Sequence, residues 1–477
     1  MCEKIQKQNI SPTCVYKKAA VLLRSKMQKH NTTNIYNLFN IILLILVGLP
    51  LSSLSKHDDD YSEKYAVIFD AGSTGSRVHV FRFNSNLDLL NIGNDLELFL
   101  AIKPGLSSYA DDPKAAANSL KPLLEKAEAV IPKNLQSQTP IKVGATAGLR
   151  LLKGDSSEKI LQAVRDLLKN ETTLSYKDEW VSVLEGTQEG SYFWVALNYL
   201  YGNLGKNYPD TIATIDLGGG SVQIAYAVSK ESALNAPKLP NGDPYVQQKS
   251  LLGTNYYLYV HSFLNYGLLA ARADILKASK NYTSPCIVEG HNGYYTYNGV
   301  AYKAASQKQG PNIRRCKAII RKLLQLDAPC KHKNCSFAGI WNGGGGAGTK
   351  NLHISSFFYD YASTVGMVDP KEPYGITQPI QYYKAATLAC KTKKQNMKLV
   401  FPNIGDKDIP FICMDLLYEY TLLVHGFGID PIRKITVVHQ VNYKNHRVEA
   451  AWPLGSAIDA VSSTTSEKLI SYVGISY

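Results

Sequence analysis

The chain has 477 residues, 45% hydrophobic and 19% charged, a balance that excludes a disordered protein and suits two or three domains with a large core. Its formal net charge of +13 is uneven: residues 1–34 carry seven Lys or Arg against Glu3 alone, which leaves +7 spread over a body of more than 400 residues. Such a mildly basic body attracts small polyanions, and the lack of any zinc-finger or RNA-binding signature excludes nucleic acid as a partner.

Residues 38–54 (LFNIILLILVGLPLSSL) form the first element, apolar, uncharged and 17 residues long, where a spanning helix needs about 17–25. A basic flank precedes it and Asp58, Asp59 and Asp60 follow, so the positive-inside rule puts residues 1–34 in the cytosol and the body outside, as in a type II signal anchor. The rival is a cleaved signal peptide, with Pro50 and the small Ser52, Ser53 and Ser55 before Lys56; a start at Met27 would give it a conventional basic leader. Both deliver the body to the secretory pathway: Golgi, plasma membrane, or secretion if the segment is cleaved.

Residues 66–83 (AVIFDAGSTGSRVHVFRF) read as strand, tight loop, strand. Gly72 and Gly75 let several N–H groups point into one concavity, which favours anions, and Ser73, Thr74 and Ser76 add hydroxyl donors. Asp70 at the strand end would repel a phosphate unless a cation or water sits between them, so the loop reads as a phosphate cradle beside a metal. It is not a P-loop, since no GxxxxGK[ST] occurs and a strand follows the glycines. Next come a surface helix over 112–130 and a strand over 141–152 that runs into a turn holding Thr146. A helix over 157–168 and a buried strand over 180–184 follow. The helix through Tyr201 then opens with Thr187 as N-cap and Glu189 in its first turn. A carboxylate there complements the helix dipole; lying between two phosphate hairpins in sequence, it also reaches a water in a cleft.

The second hairpin is 211–228 (TIATIDLGGGSVQIAYAV): strand, Asp216, then Gly218, Gly219, Gly220 and Ser221, then strand. Asp216 lies 146 residues after Asp70, too far for a solenoid repeat but suited to two related lobes facing across a cleft. This pair of hairpins resembles the actin, sugar kinase and Hsp70 superfold, where two such turns clamp a nucleotide's phosphates. Residues 229–250 read as a polar surface loop, 255–269 as an aromatic, helix-compatible core segment, and 280–335 as a disulfide-braced excursion. A Gly-rich loop spans 341–346, and the aromatics after it, with Tyr418 and Tyr420, serve as core or as a base sandwich. Residues 450–458 open the last helix. Cys2 and Cys14 precede the apolar segment; the other six cysteines lie in the second half, an even set that implies disulfides with fifteen connectivities. Sequons at Asn170, Asn281 and Asn334 agree with an exported body.

Five blocks now stand in order: DAGSTGSR, GATAGLR, GTQEGSYFW, DLGGGSVQ and AAWPLGSA. Together they resemble the apyrase conserved regions of the nucleoside triphosphate diphosphohydrolase (apyrase) family, most closely the plant apyrases. The resemblance runs from Tyr65 to Ser463. It implies an α/β protein of two RNase H-like lobes with a nucleotide cleft between them: 62–185 with 446–477 as lobe I, and 186–445 as lobe II. It implies hydrolysis of nucleoside tri- and diphosphates with Ca²⁺ or Mg²⁺. Glu189 would act as general base on a water held by Thr146 and Ser221; Asp70 and Asp216 would reach the metal through water, with Gln223 close by among the catalytic residues. Phosphates would lie on Ser73, Thr74, Gly75, Ser76, Arg77, Gly218, Gly219 and Gly220. The base is expected between aromatics, for which Phe358, Tyr359 and Tyr418 match; Trp452 packs the lobe interface. Family disulfides pair neighbours, implying Cys286–Cys316, Cys330–Cys335 and Cys390–Cys413. The rivals are a sugar kinase-like phosphotransferase, disfavoured by the glutamate of the third block, and a binding protein. The latter would take oligosaccharide as a lectin-like receptor, or calmodulin through the basic residues 14–29, whose charges a positive-inside flank also explains.

Overall fold

The computed structural model describes residues 63–72, 75–239, 244–279 and 282–473. The apolar segment 38–54, the basic residues 14–29, Ser73, Thr74 and Asn281 lie outside the described residues. Among the described residues no helix is long and apolar enough to cross a membrane.

The first sheet is built on β1 (Lys64–Ala71), an apolar run buried along almost its whole length, as a strand covered on both faces must be. It turns back into β2 (Ser76–Phe83) with Asp70 opposite Arg77 and Ala71 opposite Ser76. On β1's other side β5 (Ile141–Ala145) runs parallel, and β6 (Val181–Val183) parallel to that. β3 (Leu89–Leu90) and β4 (Glu97–Ile102) pair with β2 and complete six strands.

The second sheet repeats the device. β7 (Ile212–Leu217) turns back into β8 (Ser221–Val228), with Asp216 opposite Gln223. β13 (Asn351–Ser356) runs parallel to β7, and β15 (Ile435–Val438) parallel to β13. β10 (Thr254–Leu264), β9 (Val246–Leu251) and β14 (Tyr374–Thr377) bring it to seven strands. Two small hairpins stand apart, β11 (Asn292–Tyr297) with β12 (Val300–Ala305), and β16 (Gln440–Tyr443) with β17 (His446–Glu449).

Two helices fill the space between the sheets. The last helix, Trp452–Val473, packs on β1; the helix Gly186–Leu200 packs on it and on β7, β8 and β10. Their shared core joins Ile68 and Phe81 of the first sheet to Ala225 and Leu258 of the second through Trp194 and Trp452. Further helices cover the outer faces, Pro113–Ser119, Lys121–Ala129 and Ser156–Glu171 on the first sheet, and Leu268–Lys277 and Ile412–Thr421 among those on the second. This is the two-sheet α/β architecture of the actin, sugar kinase and Hsp70 superfold, and the three disulfides pair as neighbours: Cys286–Cys316, Cys330–Cys335 and Cys390–Cys413.

Four local expectations are corrected. The helix expected over 112–130 is two helices, because Pro122 has no N–H to carry one helix through and Leu120 becomes the joint. Residues 255–269 are mostly β10, a strand with mixed burial along its length rather than a helix. The loop expected over 229–250 contains the helix Lys230–Leu234 and strand β9. The cap of the Glu189 helix is Glu185, which forms a reciprocal capping box with Gln188; Thr187 is already inside the helix.

Gly144 marks where the last helix presses on the first sheet. A Cβ there would stand 2.6 Å from the Trp452 ring. Gly144→Ala is therefore expected to cost about 1–3 kcal/mol by overpacking, read as a lower urea midpoint with an unchanged m-value. An unaltered midpoint would show that Trp452 moves aside freely.

Candidate active site

Both phosphate hairpins project from the carboxyl ends of parallel strands, where open α/β sheets bind ligands. In the second, the carbonyls of the glycine turn are tied away from the cleft. Leu268 N–H donates to Gly218 O, Leu269 and Ala270 N–H to Gly219 O, and Asn265 N–H to Gly220 O. Gly218 N–H closes the turn on Ser221 O, while the N–H groups of Gly219 and Gly220 make no hydrogen bond among the described residues. The turn thus shows free donors and hides its acceptors, which suits an anion. Gly267 permits this close approach, since a Cβ on it would lie 2.4 Å from Ser221 N. In the first hairpin Gly72 N–H donates to Gly75 O, and Ser76 Oγ is buried with no partner among the described residues.

Three carboxylates share the intervening space. Asp70 accepts from Arg77 Nη1 at 3.1 Å through Oδ2, and its Oδ1 is buried without a partner among the described residues. Asp216 Oδ1 accepts from Ser355 Oγ at 2.8 Å and Ser356 Oγ at 2.5 Å. Glu189 Oε2 accepts from Arg150 Nη2 at 2.5 Å and, more weakly, from Gln223 Nε2 at 3.4 Å. Gln223 Nε2 also reaches Ser221 Oγ at 2.6 Å and Ser262 Oγ at 3.2 Å. Burial raises the pKa of all three carboxylates. Glu189 is pushed to about 7, chiefly by burial; Arg150 opposes the shift, and the Asp216 and Asp70 charges add to it.

The structure thus links Glu189, Gln223 and Ser221 by hydrogen bonds and brings the charges of Asp216 and of the Arg77-paired Asp70 near enough to act on Glu189. Thr146 stands at the end of β5, its N–H donating to Ala71 O. The three aromatics expected to hold a base are elsewhere. Phe358 and Tyr418 are fully buried in the second-sheet core; Tyr359 is 7% exposed and its hydroxyl donates to Glu372 O. A cleft of about 1380 Å³ is lined instead by Phe357, Tyr295 and Tyr297, with Leu269, Arg272 and Lys153.

Arg150, Ser262, Ser355 and Ser356 were missed. Arg150 stands in the GATAGLR block, four residues after Thr146, and its position there was the available signal. Ser262 lies opposite Gln223 across two strands, a pairing hidden once its segment reads as a helix. Ser356 has φ of 59°, a strained value for a residue with a side chain, and it spends that strain beside Asp216.

A family model described as the GDA1/CD39 (nucleoside phosphatase) family matches residues 56–472. The chain belongs to this family. It is 59% identical over 438 residues to an apyrase of Solanum tuberosum, covering 90% of this chain and 96% of the relative. A nucleoside-triphosphatase of Pisum sativum is 53% identical over 86% of this chain and 90% of its own. Human ectonucleoside triphosphate diphosphohydrolase 6 is 32% identical, over 87% and 81%. Crystallised nucleoside triphosphate hydrolases of Neospora caninum share the fold, with a TM-score of 0.59 at 15% identity over 90% of this chain and 98% of theirs. GDA1/CD39 membership thus accounts for the five ordered blocks and for both hairpins.

Ionised Glu189 is a cost to the fold. Below about pH 4 the carboxyl is protonated in both folded and unfolded chains; above 7 it is ionised in both, and only the folded state bears the burial penalty. Glu189→Gln removes that charge. The variant is expected to be more stable than the parent at pH 8, by at most ~3 kcal/mol, and equal to it near pH 4. Urea unfolding at the two pH values reads this; equal midpoints at pH 8 would show that Arg150 fully offsets the burial.

Proposed function

We infer that Glu189 is the general base in the hydrolysis of nucleoside tri- and diphosphates to monophosphate and phosphate that this GDA1/CD39 enzyme carries out. The observation that carries the reading is the position of one buried carboxylate between two phosphate hairpins, with a pKa raised to about 7 and one oxygen held by Arg150 and Gln223. A base titrating near neutral pH combines availability with proton affinity.

In this reading the substrate's phosphates lie on Gly219 and Gly220 N–H, on Ser76 and Arg77, and on the first loop with Ser73, Thr74 and Gly75. Thr146 and Ser221 orient a water in line with the terminal phosphorus, and Gln223 fixes Ser221 and Glu189 relative to each other. Glu189 takes a proton from that water as its oxygen bonds to phosphorus. The bridging P–O bond breaks, and its electron pair leaves with the shortened nucleotide. Phosphoryl transfer needs positioning and charge stabilisation more than covalent help, which is what this donor set offers.

A divalent cation, Ca²⁺ or Mg²⁺, fits beside the phosphates. Asp70 and Asp216 are buried carboxylates of raised pKa, and Asp70 Oδ1 lacks a partner among the described residues, so a positive charge would relieve both. Among the described residues no group of three or more His, Cys, Asp or Glu is gathered to hold a metal directly. Two carboxylates acting through water agree with a hydrated cation that keeps most of its shell. When bound it would supply charge neutralisation on the phosphate oxygens. The base of the nucleotide would occupy the cleft lined by Phe357 and the Tyr295 and Tyr297 hairpin.

General-base assistance is worth typically 10²–10⁴-fold, so Glu189→Gln should lose about 3–5 kcal/mol of transition-state stabilisation while nucleotide affinity stays near that of the parent. In the parent, kcat/KM should rise with pH through about 7 and level off, because the base acts only when ionised. Asp216→Asn should weaken metal–nucleotide binding as well as turnover. Steady-state phosphate release beside equilibrium nucleotide binding separates these effects. If kcat of Glu189→Gln stays within about threefold of the parent, below the general-base range, Glu189 is not the base.

A further inference from the structure

The body's net charge of +7 is not spread over its surface. Residues 306–335 hold eight Lys or Arg against Asp327 alone, a net of +7, so the remainder of 35–477 is balanced. The centre of this segment is the helix Ile313–Leu323 (IRRCKAIIRKL). Its apolar face is committed to the protein: Cys316 and Ile320 are buried, and Cys316 is tied to Cys286. Arg314, Arg315, Arg321 and Lys322 are exposed on the opposite side, and none of them makes an ion pair among the described residues. Residues seven apart lie on one face about 10 Å apart, so Arg314 with Arg321 and Arg315 with Lys322 form two parallel rows of charge. Lys331 and Lys333, exposed in the adjoining loop closed by Cys330–Cys335, extend the field, and Lys308 precedes it. Self-repulsion among so many like charges is a standing cost that no ion pair among the described residues offsets.

We propose that this face docks a linear acidic polysaccharide. Guanidinium forks take carboxylate or sulfate oxygens in bidentate fashion, and two rows of cations match a chain that repeats its charge. The other polyanions fit less well. A receptor that grips the apolar side of a helix finds that side already buried in the core. A membrane surface is best held by an apolar wedge among the cations, and the residue at the centre of this face is only Ala318. Three disulfides belong to an oxidising compartment, where nucleic acid and the anionic cytoplasmic leaflet are not what the face meets.

The test uses the full chain on immobilised polygalacturonate, with dextran sulfate and neutral dextran in parallel. The quadruple variant R314Q/R315Q/R321Q/K322Q is compared with the charge-matched control K114Q/K133Q/K230Q/K384Q, whose lysines are exposed elsewhere. The expected result is binding of the parent to the acidic polymers only, falling steeply with salt as condensed counterions are released. The helix variant should lose at least tenfold in affinity, the control less than twofold, and nucleotide hydrolysis should be unchanged in both. Equal losses in the two variants would reduce the effect to net charge and overturn the proposal, as would undiminished binding by the helix variant. Tighter binding of the parent to vesicles rich in anionic phospholipid, or to DNA, would overturn it in favour of that partner.

Discussion

Like charges at close range repel, and three carboxylates (Asp70, Glu189 and Asp216) are held around one buried space with their ionisation opposed by burial. Much of the architecture is what keeps them there. Each sits on a different rigid element: the end of β1, the first turn of the helix between the sheets, the end of β7. Each has its own polar support, Arg77 for Asp70, Arg150 for Glu189, and the serine pair for Asp216. The glycine turn after β7 adds the N–H groups of Gly219 and Gly220, which make no hydrogen bond among the described residues. The site holds carboxylates whose charged forms burial disfavours, and a closely packed interior is what keeps them in place.

Much of this was legible in the residues. The two Asp-tipped Gly-rich hairpins required only local chemistry to read, since strand runs, turn residues and their order fix both loops. The place of Glu189 followed from its block lying between them. The disulfide pairs followed from the family resemblance, not from spacing. What was hidden depended on neighbours distant in the chain. Ser262 reaches Gln223 only because β10 pairs with β8, and aromatic-rich β10 reads as readily helical when its partner is unknown. The aromatics expected to hold a base show the limit most sharply. Phe357 lines the cleft while Phe358 is fully buried, and one step along a helix swings a side chain by about 100°. Composition found aromatics near the cleft but carried no information on which one faced it.

The charge reading illustrates the same limit from the other direction. A total of +7 over the body looks like diffuse solubility charge, yet helical geometry sorts it. The apolar positions of Ile313–Leu323 are drawn inward and the cations are left on one outward face. Lys317 alone of that helix's cations finds an internal use, lying over the rings of Tyr383 and Tyr420.

All three disulfides close loops within 286–413, and none links the first sheet to the second. Disulfide reinforcement is therefore confined to that segment, and the two sheets are joined by the helix layer between them and by non-covalent contacts such as Lys142 of β5 and Lys249 of β9 on Asp459. Reductant would therefore open loops of the 286–413 segment while cutting no covalent tie between the two sheets.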